Sequence, residues 1–204
     1  AISEEKNIVK KWVKKYKIDG IISDNRLGVY SKKVPSVFIT HQLNVLTGNT
    51  TWLTSKIHQK IIKKFTACWI PDVNSELNLT GKLGHLENNP LTVNYLGPLS
   101  RMHKMALPIQ YDLMIILSGP EPQRGLLESH LTEEVKRFDG KVVFIKGIIE
   151  TEQKKEQIGN VTYYNFMKTR QLEYTFNESE KVLCRSGYTT IMDLVKLNKK
   201  AFFI

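Results

Sequence analysis

The order of apolar and polar positions divides the first half of the chain into alternating helices and strands. From Glu4 to Lys17 apolar residues recur at helical spacing and lysines fill the positions between them, which predicts an amphipathic helix. The same spacing predicts a helix from Trp52 to Lys64. Short apolar runs bounded by turn residues predict strands at residues 21–23, 37–40, 67–70 and 92–96. The Gly- and Asn-rich stretch from Asn74 to Asn89 predicts irregular structure.

The second half continues this alternation. Apolar runs predict strands at residues 113–117, 142–145, 161–165, 182–184 and 201–204. Helical spacing predicts helices at residues 126–138, 170–177 and 189–197. The charged stretch from Glu150 to Gln157 predicts a loop. Strands that alternate with helices are typical of α/β proteins with parallel sheets, in which ligands bind at the carboxyl ends of the strands.

The length of 204 residues fits two small domains. We place the domain boundary between Ser100 and Pro108, after the strand that ends at Gly97-Pro98, which gives domains at residues 1–103 and 104–204. The chain lacks an initial Met, opens directly in a helical pattern and stops in an apolar strand pattern. We therefore expect an internal fragment of a longer protein.

Composition narrows the class of protein. A hydrophobic content of 41% is enough for a buried core. The two cysteines, Cys68 and Cys184, lie far apart in spacings that indicate neither a zinc site nor a disulfide framework, which fits a reducing cytoplasm. The longest apolar run, Leu113–Leu117, is far shorter than the ~20 residues of a membrane-spanning helix.

The net charge of +10 is unevenly distributed. Residues 1–103 hold 15 basic and 7 acidic residues, a net +8, whereas residues 104–204 hold 15 and 13, a net +2. A positive first half favours an anionic partner such as a phospholipid surface, a polyphosphate or a nucleic acid. The lysine-rich helix faces at 6–17 and 56–64 also fit ordinary solvated surfaces, with a membrane-surface role as the alternative.

The run Cys184-Arg-Ser-Gly-Tyr-Thr-Thr-Ile-Met-Asp193 carries the most specific chemistry. Its pattern predicts a strand, a sharp turn at Gly187 and a helix capped by Thr189 or Thr190. The free N–H groups and the positive dipole end of such a helix attract an anion, and Asp193 is placed one turn later to accept hydrogen bonds from ribose hydroxyls. The same spacing fits an ordinary threonine-capped turn without a ligand.

This run resembles the Arg-Ala/Ser-Gly…Thr…Glu signature of glycosyltransferase family 28, with Asp193 in place of the glutamate. The resemblance extends thinly over residues 19–204. It implies the α/β fold called GT-B, in which two Rossmann-like, doubly wound domains enclose a cleft. The first half would then be the latter part of the N-terminal, acceptor-side domain, and the second half a truncated nucleotide-sugar-binding domain. The resemblance implies that the donor binds at Arg185, Ser186, Gly187, Thr190 and Asp193.

Two further loops of the second half have counterparts in the family. Ser118-Gly119 falls where the family has a Gly-Gly-Ser donor loop, although Pro120-Glu-Pro122 replaces its glycine-rich continuation. By itself this segment also fits a proline-stiffened loop. Phe166 and Met167 fall where the family packs on uracil and hydrogen-bonds it through backbone groups, and Leu172 lies close to the family's Met. Aromatic residues at strand ends also commonly serve packing alone.

In the first half, Pro35–Asn44 with Gly48 is similar to the family's Pro-Val-Val-…-His-Glu-Gln-Asn…Gly segment. This resemblance implies that His41 faces the cleft, where proton transfer or a phosphate contact is open to it; a structural hydrogen-bonding role is the alternative. Gly97-Pro-Leu-Ser-Arg101 is similar to the family's Gly-Asn-Pro-Val-Arg. Arg101 is then placed to stabilise a diphosphate leaving group, and a surface arginine in a linker is the alternative.

Asp24 and His85 are further acceptor-side candidates. Asp24 follows a strand, where a carboxylate is placed to act as a base, yet Asp-Asn-Arg also makes a common turn. His85 ends the flexible stretch Gly81-Lys-Leu-Gly-His85. The sequence has no Asp-x-Asp motif, so we expect no metal, and basic side chains with helix dipoles would neutralise the leaving group.

These features predict a metal-independent, inverting glycosyltransferase of the bacterial cell envelope. It would move N-acetylglucosamine or a related hexose from a UDP-sugar to a hydroxyl of a sugar or lipid-linked acceptor. We expect no cofactor besides the donor substrate, no nucleic-acid partner, and a cytoplasmic location peripheral to the inner face of the membrane. Residues 1–204 alone should be inactive. The alternatives are a UDP-sugar epimerase of the same fold, and a basic nucleic-acid-binding module with steeply salt-dependent affinity.

Overall fold

The computed structural model describes residues 2–45, 51–86 and 91–204. The chain divides into two compact units, Ala1–Leu99 and Ser100–Ile204. The predicted boundary after residue 103 lies slightly further along the chain. Met102, only 1% exposed, belongs to the core of the second unit. Within the described residues, no helix has the length and apolar content needed to cross a bilayer.

The first unit contains one parallel sheet with the strand order β1-β2-β3-β4. Its elements are helix α1 (Ile2–Tyr16), strands β1 (Ile21–Asp24) and β2 (Ser36–Ile39), helix α2 (Thr51–Ile62), and strands β3 (Ala67–Ile70) and β4 (Val93–Tyr95). A short 3₁₀ helix, Gly81–Leu83, interrupts the stretch between β3 and β4 that the sequence predicts as irregular. The core is centred on Phe38, Leu43, Ile62, Cys68 and Ile70.

Helix α1 is confirmed, but only part of its apolar face is covered. Val9 and Val13 are buried, whereas Trp12 and Tyr16 are more than half exposed. Glu5 ties the helix to the loop after β1, because its carboxylate accepts hydrogen bonds from the Arg26 side chain and from the Gly28 N–H. An acidic first turn also suits the positive end of the helix dipole.

The second unit contains a six-stranded sheet with the order β10-β9-β5-β6-β8-β7. Its elements are β5 (Tyr111–Ile116), helix α3 (Gln123–Glu134), a 3₁₀ turn (Val135–Arg137), β6 (Val142–Ile145), β7 (Lys155–Ile158), β8 (Val161–Tyr164), helix α4 (Thr169–Asn177), β9 (Ser179–Cys184), helix α5 (Tyr188–Leu197) and β10 (Ala201–Phe203). All pairs are parallel except β7 with β8. The chain builds from β5 through β6 to β8 on one side and then crosses to β9 and β10 on the other. This is the doubly wound order, with its switch point between β5 and β9.

The predicted α/β fold is therefore confirmed, with one correction in the second unit. The stretch from Glu150 to Gln157 is not entirely a loop, because β7 begins at Lys155 and pairs antiparallel with β8 across a turn at Gly159. All four residues of β7 are exposed, so the strand lacks the alternation of buried and exposed positions on which a sequence prediction depends. All four residues of β6 are buried, as expected for a central strand of a parallel sheet.

Candidate functional site

Two loops predicted to bind the donor lie side by side at the switch point of the second sheet. Ile116 of β5 pairs with Cys184 of β9, so the loops after these strands are neighbours. Nη1 of Arg185 donates a hydrogen bond of 2.8 Å to the carbonyl oxygen of Ser118. At Gly119, where φ is +109°, a Cβ would collide with that guanidinium. The glycine therefore allows Arg185 to bridge the two loops.

A third loop, after β6, closes on the same edge. Gly147 has φ +74°, and a Cβ there would collide with the carbonyl oxygen of Leu117. The sequence analysis did not select this residue. A glycine directly after a buried strand was the available signal, but its neighbour in space, Leu117, depends on the strand order.

Helix α5 begins differently from the prediction. Gly187 is its N-cap, in an extended conformation (φ −65°, ψ 133°), and no side chain caps the helix at this position. Thr189 and Thr190 lie inside the first turn, so the expectation that either caps the helix is wrong. The chain does turn from β9 into α5 here, but the backbone angles of Gly187 are ones that any residue adopts. Ser186 and Gly187 are exposed, and the N-cap residue, a glycine, has no side chain that could accept a hydrogen bond from the helix.

Asp193 faces the segment that opens the second unit. Its Oδ1 accepts a 2.6 Å hydrogen bond from Oγ of Ser100, which in turn accepts one from the Met102 N–H. Burial raises the pKa of Asp193, while the Ser100 hydrogen bond and the positive charge of Arg101 act in the opposite direction. The structure thus brings the predicted residues Arg101 and Asp193 together, through a serine that the sequence analysis did not select.

The predicted base-binding residues lie at the carboxyl end of β8. Met167 and Leu172 pack against the core, and Sδ of Met167 accepts a hydrogen bond from Thr175. The backbone groups of Phe166 are already hydrogen-bonded within the chain. Its N–H donates to Oδ1 of Asn165 at 2.9 Å, and its carbonyl oxygen accepts from Nε2 of Gln153 at 2.7 Å. A nucleobase would therefore meet the Gln153 side chain at this carbonyl.

Asp24 is the last residue of β1, and His41 follows the neighbouring strand β2 in the first unit. The N–H of Asn25 donates to the carbonyl of Ile39, which joins the two strand ends, and Thr40 donates to the side chain of Asn25. Burial lowers the pKa of His41, and the negative charge of Asp24 partly offsets this effect. A lowered pKa keeps His41 neutral at pH 7, as a proton acceptor requires. Gly48, which belongs to the same sequence motif, lies outside the described residues.

His85 is part of a tightly bonded loop. Its Nδ1 lies 3.1 Å from Oγ1 of Thr80, its Nε2 lies 3.1 Å from the carbonyl oxygen of Val73, and its ring stacks on Tyr95. The hydrogen bonds that hold it give His85 a structural role in this loop.

The loop that contains His85 is folded around the carboxylate of Asp72, which is completely buried. The carboxylate accepts hydrogen bonds from the Thr80 hydroxyl and from the N–H groups of Val73, Leu79 and Thr80. Burial alone would raise the pKa of Asp72, but these hydrogen bonds outweigh it and lower the pKa. Among the described residues, no three His, Cys, Asp or Glu side chains are arranged to hold a metal ion.

No protein-family model matches the chain. Among curated proteins, it is similar to the UDP-N-acetylglucosamine--N-acetylmuramyl-(pentapeptide) pyrophosphoryl-undecaprenol N-acetylglucosamine transferase of Haemophilus ducreyi. The two are 22% identical over 203 residues, which cover 94% of this chain and 54% of that protein. The chain therefore spans about half the length of this relative.

Two solved structures share the fold. One is S. aureus MnaA in complex with UDP, with a TM-score of 0.57 and 9% identity over 100% of this chain and 61% of that one. The other is a Listeria monocytogenes protein assigned as a UDP-N-acetylglucosamine 2-epimerase, with a TM-score of 0.53 and 11% identity over 98% and 60% of the two chains. The chain thus has a GT-B-type fold of two Rossmann-like units, and the curated relative supports its resemblance to glycosyltransferase family 28.

Proposed function

We propose that the complete protein is an inverting, metal-independent glycosyltransferase that uses a UDP-sugar, with N-acetylglucosamine or a related hexose as the sugar. The observation that carries this proposal is the meeting of Ser118, Gly119 and Arg185 at the switch point, next to the uncapped start of α5. Doubly wound sheets bind nucleotides at this position. A guanidinium and the N–H groups at the start of a helix are the donors that suit a diphosphate.

The absence of a side chain at residue 187 supports a ligand at this end of α5. The nearest atom to a Cβ built on Gly187 is Oγ1 of Thr190 at 3.9 Å, and the backbone angles are ordinary. Nothing within the chain therefore requires a glycine there. A diphosphate approaching the N–H groups of α5 would require it, because a methyl group would occupy the path.

In the proposed reaction, the acceptor hydroxyl attacks the anomeric carbon from the face opposite the diphosphate. A carbon–oxygen bond forms to the acceptor as the bond to the diphosphate oxygen breaks, and UDP leaves with the bonding electrons. Arg101, Arg185 and the dipole of α5 stabilise the negative charge of the leaving group. His41 or Asp24 takes the proton of the acceptor hydroxyl, and the neutral state of His41 suits that role.

A UDP-sugar epimerase is the second candidate, because the chain shares the fold of a protein assigned that activity. The two activities differ in their products. A transferase leaves the sugar of UDP-N-acetylglucosamine unchanged when no acceptor is present, whereas an epimerase inverts one of its carbons. Proton NMR of the nucleotide sugar after incubation with the full-length protein separates them.

The donor site is tested by calorimetry of the full-length protein with UDP, GDP, ADP and their sugars. We expect selective binding of UDP and its sugar. Asp193→Ala should weaken UDP binding about tenfold, since a hydrogen bond to a charged group is typically worth ~1.5–3 kcal/mol. Asp139→Ala is the matched control, because that exposed aspartate precedes β6 at the opposite end of the same sheet. Equal affinity for all three diphosphates, or no effect of Asp193→Ala, would reject the donor site.

A further inference from the structure

The side chain of Asn165 fixes the segment of residues 150–154 to the carboxyl end of β8. Asn165 is buried, and its Oδ1 accepts hydrogen bonds from the N–H groups of Lys154 at 2.8 Å and Phe166 at 2.9 Å. Its Nδ2 donates to Oε2 of Glu150 and to the carbonyl of Glu152, both at 2.9 Å. One amide thus makes four hydrogen bonds and determines where the residues of this segment lie.

The segment places the carboxamide of Gln153 between two acceptors. Nε2 of Gln153 lies 2.7 Å from the Phe166 carbonyl oxygen and 2.7 Å from Oε1 of Gln171 on α4. A backbone carbonyl only accepts, so the Gln153 atom that faces it must be the NH₂ group. The other hydrogen of this NH₂ group then requires an oxygen on Gln171. The contacts therefore fix the orientation of both amides.

The two fixed amides leave a defined pair of groups unused in these contacts. Gln153 retains its oxygen, an acceptor, and Gln171 retains its NH₂ group, a donor. Gln153 is exposed and Gln171 is half-buried, so the pair borders solvent. Uracil carries a donor, N3–H, beside an acceptor, O4, and this edge matches the pair. Cytosine carries an acceptor, N3, beside a donor, the 4-amino group, and opposes it at both positions.

We propose that Gln153 and Gln171 read the base of the donor nucleotide and select uracil over cytosine. This inference rests on the proposed function, which places a nucleotide at this edge of the sheet. Three strand spacings, or about 14 Å, separate β9 from β8, so a diphosphate at the switch point leaves the base near β8. Because Nε2 of Gln153 already donates a hydrogen bond to the Phe166 carbonyl oxygen, the base would hydrogen-bond to the two carboxamides instead.

The test is the ratio of the affinities of the full-length protein for UDP and CDP, measured by calorimetry. We expect the wild type to prefer UDP by at least about tenfold, in line with the discrimination that a bidentate contact to a base provides. Gln171→Glu keeps the oxygen that accepts from Gln153 and replaces only the outward NH₂ group by an oxygen. This change should bring the UDP to CDP ratio to about one or below, because the new oxygen repels O4 and accepts from the cytosine amino group.

Two further variants serve as controls for this measurement. Gln171→Ala removes the donor without adding charge, and it should lower the UDP to CDP ratio, because it removes a hydrogen bond to uracil O4 and the repulsion of the cytosine amino group. Gln157→Glu adds the same charge to β7, where the only described hydrogen bond of the Gln157 side chain is to the Gly159 carbonyl, and it should preserve the ratio. UDP and CDP carry the same diphosphate, so a general electrostatic effect of added charge cancels in the ratio.

The outcomes separate the two proposals. A wild-type protein that binds neither nucleotide rejects the proposed function, and base reading with it. Binding of UDP that depends on Asp193, with an unchanged UDP to CDP ratio in both Gln171 variants, retains the proposed function and overturns the reading of the base. A ratio that collapses in Gln171→Glu and is preserved in Gln157→Glu supports both.

Discussion

Two aspartates at the carboxyl edges of the two sheets are used in opposite ways. Asp72, after β3, is completely buried, and four groups of its own loop donate hydrogen bonds to it. Asp193, on α5, is half-buried and accepts from Ser100. The pKa of the first is lowered by its hydrogen bonds, whereas the pKa of the second is raised by burial.

The first carboxylate holds its own loop together, whereas the second makes one described side-chain hydrogen bond and remains partly exposed to solvent. The donors around Asp72 all come from within its loop, so its charge is used to fold that loop. At the switch point of the second sheet, the Arg185 side chain donates to the Ser118 carbonyl, and α5 begins at an N-cap glycine without a side-chain cap. Substitutions in the first unit should therefore change stability, and those at the switch point should change ligand affinity.

The largest effect is expected from Asp72→Asn. The asparagine NH₂ group would face N–H donors in a completely buried site, which should lower the free energy of unfolding by about 3 kcal/mol or more. Urea titration followed by tryptophan fluorescence measures this, since Trp12, Trp52 and Trp69 lie in this unit. Asp19→Asn, at an exposed position, is the control. A loss below 1 kcal/mol for Asp72→Asn would contradict the structural role.

The pH dependence of stability gives the same variant a second readout. The pKa of Asp72 is lower in the folded than in the unfolded chain, where it is about 3.9. Its contribution is therefore complete above about pH 4 and is lost as the pH falls toward the folded value. Between pH 5 and pH 3 the stability of the wild type should fall more steeply than that of Asp72→Asn. Parallel curves would show that Asp72 is not the titrating group.

Gly147→Ala should have the next largest effect. It tests whether the carboxyl edge of the second sheet also contains a residue that contributes to stability and not to ligand binding. The left-handed backbone and the collision with the Leu117 carbonyl together should cost about 2–4 kcal/mol. Gly159→Ala separates the two causes, because Gly159 has φ +59° with no atom near its Cβ position, and should cost only about 1 kcal/mol. Circular dichroism during urea unfolding reports both. Equal losses would show that the collision is relieved by movement of the loop.

Gly187→Ala should give the smallest effect, and it should change only the affinity for UDP and not the stability. Its backbone angles and free space predict a stability change within about 0.5 kcal/mol. UDP affinity should fall about tenfold, because the new methyl group lies where the diphosphate approaches α5. Calorimetry with UDP, alongside a urea titration, measures the two quantities. Unchanged affinity would place the diphosphate elsewhere.

The pattern of apolar positions is sufficient to predict those helices and strands whose apolar residues are buried in the core. The stripe of α1 and the continuous apolar run of β6 predict their structures directly. The pattern fails where burial does not alternate. Strand β7 is exposed throughout, and β9 begins at Ser179, before its apolar residues, where Lys199 donates a hydrogen bond to the Ser179 carbonyl.

The sequence predicts the chemistry of each loop of the site by itself, but it does not predict which loops meet. The sequence indicates an anion-binding turn at Arg185 and a small-residue loop at Ser118, but their contact follows from the strand order. Nothing in the sequence indicates that Gln153 and Gln171 lie together, because their contact depends on the hydrogen bonds of Asn165. Ser100 is another such residue, since its partner lies far along the chain.

Strand β7 also bears on how the protein behaves at high concentration. A strand at the border of a sheet offers unpaired N–H and C=O groups to any other strand, and a flat apolar border invites aggregation. Here the border is only four residues long, and Lys155 and Glu156 stand on it with both faces exposed to water. A second molecule that paired with it would have to bury these charges. Strand β7, most of which the sequence predicted as part of a loop, therefore protects this border of the second sheet from edge-to-edge association.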